Sequence, residues 1–278
     1  MTDDAGWTVM SLLRATQQFL GQRGSQSPRL DAELLLAHAL GDGDRMWLYR
    51  NADRPVTDEE REACREWVAR RAQGEPIAYI LGTVEFWSLE LGVDARVLVP
   101  RPETEHVVSL ALAELGAWER ADWRIVDVGT GSGALALALA HELPESTVLA
   151  VDTSAAALEV ARANADRLGL RDRVRFVQGD VLSPVAGREG VVDLVVSNPP
   201  YVGDEDPELE SSVRAHEPSA ALFAGRDGLE VIRRLIPDAH RALAPGGALV
   251  MEFGARQGAA VLALAREVFA AARIERDF

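Results

Sequence analysis

From residue 121 onward the chain alternates short apolar runs with stretches of helical periodicity, and few architectures accommodate that order. The runs begin at Arg124-Ile125-Val126-Asp127-Val128, Thr147-Val148-Leu149-Ala150-Val151, Val174-Arg175-Phe176-Val177, Val191 to Ser197, and Ala248 to Phe253. Between them, Ala134 to His141, the stripe Leu158, Ala161, Ala165 and Leu168, and Ile232 to Leu243 carry helical spacing. Strand and helix in alternation call for an α/β domain with a mostly parallel sheet covered on both faces. In such a sheet the ligand crevice lies outside the carboxyl ends of the strands, so the residues there carry the functional information.

The first strand runs into Gly129-Thr130-Gly131-Ser132-Gly133, directly before a helix. Glycines let backbone approach a ligand closely, and a helix N-terminus supplies free N–H groups. The spacing is G-x-G-x-G and differs from the dinucleotide fingerprint. Roughly 20 residues on, where a ribose contact belongs, Asp152 ends the second strand. Asp180 and Val181 close the third, in position for an adenine ring and its amine. Taken singly, an acid at such a point is more commonly a helix N-cap. The fourth strand ends in Asn198-Pro199-Pro200-Tyr201. Asn198 offers a side-chain carbonyl, Pro199 a backbone carbonyl without an N–H, and Tyr201 an aromatic face, a set that suits a planar NH2 group. Alone, the tetrapeptide also reads as two prolines that stop a strand. The four loops together point to a nucleoside-binding α/β site.

The rest of the chain bounds the partners. A formal net charge of −15 over 278 residues argues against a protein that lives on nucleic acid, which would need clustered Lys and Arg. The single cysteine, Cys64, leaves no intrachain disulfide, and the five histidines show no metal-ligand spacing. The acidic start and the lack of a long apolar stretch imply a cytoplasmic protein.

Residues 1–75 read as a helical domain. Val9, Leu12, Leu13, Thr16, Phe19 and Leu20 mark one face, Ser27-Pro28 an N-cap with proline at the first position, and Leu30, Leu34 and Ala37 a second stripe. Met46, Trp47 and Leu48 belong to a short third helix, and Thr57 with Glu60 forms a capping box for a fourth. Residues 76–100 read as a β-hairpin linker, strand-like from Ile77, with Phe86 to Leu91 as one arm. A catalytic domain at 101–278 follows.

With these motifs placed, the chain resembles the release factor glutamine methyltransferases, the PrmC/HemK family. The resemblance rests on Asn198-Pro199-Pro200-Tyr201 and on segments outside the cofactor site: Gly74 to Gly82, Glu85 to Leu89, Leu98 to Glu105, His216-Glu217-Pro218, Ala224 to Leu229, and Arg29 to Glu33. It implies a class I, Rossmann-like sheet dependent on S-adenosylmethionine, with a small N-terminal helical domain that grips the substrate. It further implies methylation of the amide nitrogen of the glutamine in the Gly-Gly-Gln motif of class I peptide chain release factors. Cofactor contacts carry over to Gly129, Thr130, Gly131, Ser132, Gly133, Asp152, Asp180, Val181 and Asn198, and the glutamine pocket to Asn198, Pro199, Pro200 and Tyr201. Val181 stands where relatives often carry an aromatic against the adenine. Relatives also continue past Ile274 to Phe278 into a further strand. A monomer is the default expectation. The rival reading is a nucleic-acid amino methyltransferase, since related tetrapeptides serve adenine and guanine. An idle adaptor that binds a translation factor is a second, disfavoured by the intact loops.

Overall fold

A computed structural model describes residues 6–41, 43–116 and 120–276. The chain forms two compact units, one ending at Gly82 and the other beginning at Thr83.

The first unit is built of α1 (Val9–Gln22), α2 (Pro28–Leu40), α3 (Arg45–Arg50), α4 (Asp58–Ala72) and α5 (Ile77–Leu81). Thr8 and Thr57 each cap their helix in a reciprocal box, the second with Glu60, as its spacing demands. Ser27 makes no side-chain cap bond, although Pro28 does open α2. Within α2, Ala32, Leu35, Leu36 and Ala37 are fully buried while Leu30 is exposed. A helix buried over most of its circumference shows no single stripe, which is why the spacing Leu30, Leu34, Ala37 misplaces its inner face. Phe19 also lies at the surface, beneath the Arg23 guanidinium 5.2 Å from its ring centre. Cys64 is buried, and that burial pushes its thiol up to about 11, so it is an inert core group.

Ile77–Leu81, expected to be extended, is a helical turn ended by Gly82 in the left-handed region. The second unit opens with the hairpin β1 (Thr83–Phe86) and β2 (Leu89–Gly92). Its turn falls on Trp87 and Ser88, both with positive φ, inside the run expected to be one arm. Two central residues at positive φ match the right-handed twist of a hairpin, and neither residue is of the type that advertises it.

The remaining elements are α6 (Glu105–Gly116), β3 (Arg124–Val128), α7 (Ala134–Glu142), β4 (Thr147–Asp152), α8 (Ala155–Arg167), β5 (Val174–Gln178), β6 (Val192–Ser197), α9 (Ser211–His216), α10 (Ser219–Leu222), α11 (Glu230–Ala242), β7 (Leu243–Met251) and α12 (Gly258–Arg266). The five strands from β3 onward pair in the order β5-β4-β3-β6-β7, all parallel. Alternate strand residues enter opposite cores. Ile125, Ala150, Leu194 and Val196 pack with α6, α7 and α8. Val126, Val128, Val151 and Val195 pack with Leu235 and Ala239 of α11. Both faces are therefore covered, at about 1.5 to 3 kcal/mol for each large aliphatic side chain removed from water. Strand order reverses between β3 and β6, the switch point outside which ligands bind in sheets of this kind. No described helix is long and apolar enough to cross a membrane.

Candidate active site

The glycine loop, Asp152 and the Asn-Pro-Pro-Tyr segment all leave the carboxyl edge of the sheet, from the adjacent strands β3, β4 and β6. Gly129 and Gly131 adopt positive φ, and a Cβ on either would find its nearest atom no closer than 3.9 Å, so the outer face of the loop is open. Gly133 faces the other way. A Cβ there would meet Leu137 Cδ1 at 3.0 Å and Ala161 Cβ at 3.3 Å, so its role is to let α7 pack closely. Thr130 and Ser132 are buried.

Asp152 Oδ2 accepts the Gly131 N–H at 2.9 Å, and its Oδ1 accepts the Ser154 N–H at 2.8 Å. The cap of α8 is Ser154, so Asp152 stands outside the helix as a half-buried acceptor on the crevice side of the loop. Asp180 pairs with Arg234 of α11 at 2.5 Å and caps no helix. Val181 is buried among Val126, Val128 and Val151 with φ +49. That is a strained backbone for a β-branched residue.

Sequence reading passed over Asp127. It is fully buried beneath the loop, and its Oδ2 accepts from Thr130 Oγ1 at 2.6 Å and Ala136 N at 3.1 Å, while Oδ1 has no partner among the described residues. Burial pushes its carboxyl up to about 7, against the pull of those two bonds. The signal was present, an acid inside an otherwise apolar strand two residues before a glycine loop.

Asn198 lies across from the loop, its backbone carbonyl being the nearest neighbour a Cβ on Gly129 would meet. Its Nδ2 donates to Thr104 Oγ1 at 3.0 Å. Thr104 in turn donates to Glu252 Oε2 at 2.7 Å, and Tyr201 donates its hydroxyl to Glu252 Oε1 at 2.9 Å. Burial, then the nearby Glu252, raise the Tyr201 phenol above its usual value and keep it protonated. Gln257 Nε2 donates to the Tyr201 carbonyl at 2.9 Å, and Pro199 is buried. Thr104 and Glu252 were also passed over. Only the position of Glu252 at the end of a parallel strand marked it.

Two segments that carry the family resemblance meet beside this network. The buried Glu217 accepts from Arg101 Nη2 at 2.6 Å and from the Val99 N–H at 3.2 Å.

A parallel sheet whose adjacent strand ends carry a glycine cradle, an acid and an Asn-Pro-Pro-Tyr loop defines a class I, Rossmann-like methyltransferase. Residues 11–82 match the PrmC N-terminal domain, and residues 109–215 match the methyltransferase small domain. A release factor glutamine methyltransferase of Rhodopirellula baltica is 44% identical over 254 residues, covering 90% of this chain and 85% of the relative. One from Chlorobaculum tepidum is 42% identical over 284 residues, covering 100% of this chain and 96% of its own length. One from Xylella fastidiosa is 47% identical over 237 residues, covering 85% and 84%. The chain belongs to the release factor glutamine methyltransferase family.

Proposed function

We propose that this protein transfers a methyl group from S-adenosylmethionine to the side-chain amide nitrogen of the glutamine in the Gly-Gly-Gln motif of class I peptide chain release factors. S-Adenosylmethionine supplies an electrophilic methyl on a positively charged sulfonium and leaves as S-adenosylhomocysteine. The chain's residues suit that group. Gly129 and Gly131 leave room for it, and Asp152 offers acceptor lone pairs to ribose hydroxyls. Asp180 and Val181 belong to the adenine end of the same reading. The N-terminal unit, in this reading, holds the protein substrate.

The observation that carries the substrate assignment is the amide of Asn198. Its Nδ2 is committed to Thr104, which leaves Oδ1 as the acceptor of a residue whose backbone carbonyl lies across from the glycine loop. An amide nitrogen is a weak nucleophile because its lone pair is delocalised into the carbonyl. The Asn198 oxygen and the Pro199 carbonyl accept its two N–H bonds and hold it in place. As positive charge grows on the nitrogen, those fixed dipoles bind it more tightly, which lowers the barrier. Tyr201 provides the flat wall, and the proton leaves to solvent after transfer.

The test is a labelled methyl-transfer assay that offers an intact release factor, the same factor with the motif glutamine changed to alanine, and duplex DNA. Label on the intact factor alone, mapped to that glutamine by mass, is the expected result. Label on DNA, or equal label on the alanine form, overturns the assignment.

A further inference from the structure

We propose that Glu252 is a positioning residue for the transfer, one that decides through Thr104 which end of the Asn198 amide meets the substrate. The proposal rests on the methyl-transfer reading above and goes beyond it.

The placement follows from strand register. β6 and β7 run parallel with Ser197 opposite Met251, and the Glu252 N–H donates to the Ser197 carbonyl at 3.0 Å. Asn198 and Glu252 therefore leave the sheet side by side. Thr104 reaches both from the short turn Pro102–Thr104 that precedes α6.

The chemistry lies in the direction of the bonds. A threonine hydroxyl has one proton, and a carboxylate can only accept. With Glu252 Oε2 at 2.7 Å, the Thr104 proton is committed to the carboxylate. Thr104 Oγ1 can then only accept from Asn198, so Nδ2 must face it and Oδ1 must face the other way. The two ends of an asparagine amide are nearly the same size, so shape alone would not hold this orientation. Thr104 is 4% exposed, so water is not on hand to satisfy the reversed arrangement. The second carboxylate oxygen takes the Tyr201 hydroxyl, which refers both substrate-facing side chains to one charge. An Asn198 turned by its neighbours to present an acceptor selects a group that donates N–H and rejects a carbonyl.

Glutamine at 252 keeps the shape but breaks the logic, because it offers one carbonyl and one NH2 to two hydroxyl donors. When its NH2 faces Thr104, the threonine proton is redirected towards Asn198 and the acceptor turns away from the substrate.

The experiment compares the full-length chain with E252Q, T104V, T104S and the double variant E252Q/T104V. It measures kcat, KM for the release factor, the Kd for S-adenosylmethionine and the thermal midpoint. E252Q and T104V are each expected to lower kcat by about 100-fold, the scale of a lost preorganised dipole, with Kd changed less than about threefold and the thermal midpoint unchanged. T104S keeps the hydroxyl and recovers most of the loss. The double variant falls no further than the worse single one, since both act through one chain of bonds. Wild-type kcat in E252Q, an equal loss in T104S and T104V, or losses that multiply in the double variant would overturn the proposal. A wild-type chain that leaves the release factor unlabelled overturns the functional reading and this one with it; a labelled factor with an unaffected E252Q overturns this one alone.

Discussion

Gly131 and Asp152 are joined by a hydrogen bond of 2.9 Å from the glycine N–H to the aspartate Oδ2, which ties the loop after β3 to the end of β4. The acid thus shapes the glycine cradle as well as facing the crevice. In the proposed reading, loss of its side chain would affect the cofactor twice, by removing an acceptor and by releasing the loop.

Asp152→Ala is therefore expected to weaken S-adenosylmethionine binding by at least tenfold, about 1.4 kcal/mol, since two charge-assisted bonds to backbone are lost. Asp152→Asn, which retains one acceptor oxygen for two backbone donors, lies between. Calorimetric titration reads both, and an Ala variant that binds like wild type refutes the role.

Asn198→Ala divides the two functions differently. Turnover should fall by about 100-fold or more while cofactor affinity changes less than about threefold, because in the proposed reading the side chain aims the substrate. Comparable losses in kcat and in Kd for this variant and for Asp152→Ala would remove the division of labour.

The loop glycines separate stability from binding. Gly133→Ala, with φ +87 and a Cβ pressed against Leu137 and Ala161, should cost about 1 to 3 kcal/mol in chemical denaturation. Gly131→Ala, at φ +55 with open space, should cost about 1 kcal/mol and instead lower cofactor affinity by at least tenfold. The reverse ranking in the two assays contradicts the assigned faces.

Asp127 gives a pH signature. Its folded carboxyl titrates at about 7 against 3.8 for the free group, so its contribution is fully present below pH 4 and is lost as pH rises towards 7. Asp127→Asn keeps the acceptor for Thr130 and Ala136 and cannot ionise. Between pH 4 and 7.5 the Asn form should gain on wild type by on the order of 4 kcal/mol, from the shift between the two carboxyl values. Parallel denaturation curves at several pH values measure it, and a constant difference between the two proteins rejects it.

In the hairpin, Ser88 is exposed at φ +57. Ser88→Gly should raise stability by about 0.5 to 1 kcal/mol, since glycine adopts that conformation without strain. A melt that drops would show that the serine side chain matters there.

What was legible in the sequence depended on how far along the chain a signal had to act. The capping box of Thr57 and Glu60 and the alternation that makes β3 to β7 a parallel sheet involve neighbours a few positions apart. The hairpin turn was missed because Trp87 and Ser88 are held at positive φ with outside help, the Trp87 N–H and Nε1 donating to Glu105 and Glu142. The inner face of α2 was missed because a helix enclosed on most sides has no stripe to read.

By itself the sequence determined the strand ends and the residue types they carry, because periodicity, glycine and proline act through the local backbone. Tertiary structure alone decided that Thr104 and Glu252 meet Asn198 and Tyr201, and that Asp127 is sealed with no partner among the described residues for one oxygen. A threonine in a turn and a glutamate after a strand look ordinary in sequence. They form a directed chain of bonds only when parallel pairing of β6 and β7 brings residues 104, 198 and 252 to one edge of the sheet.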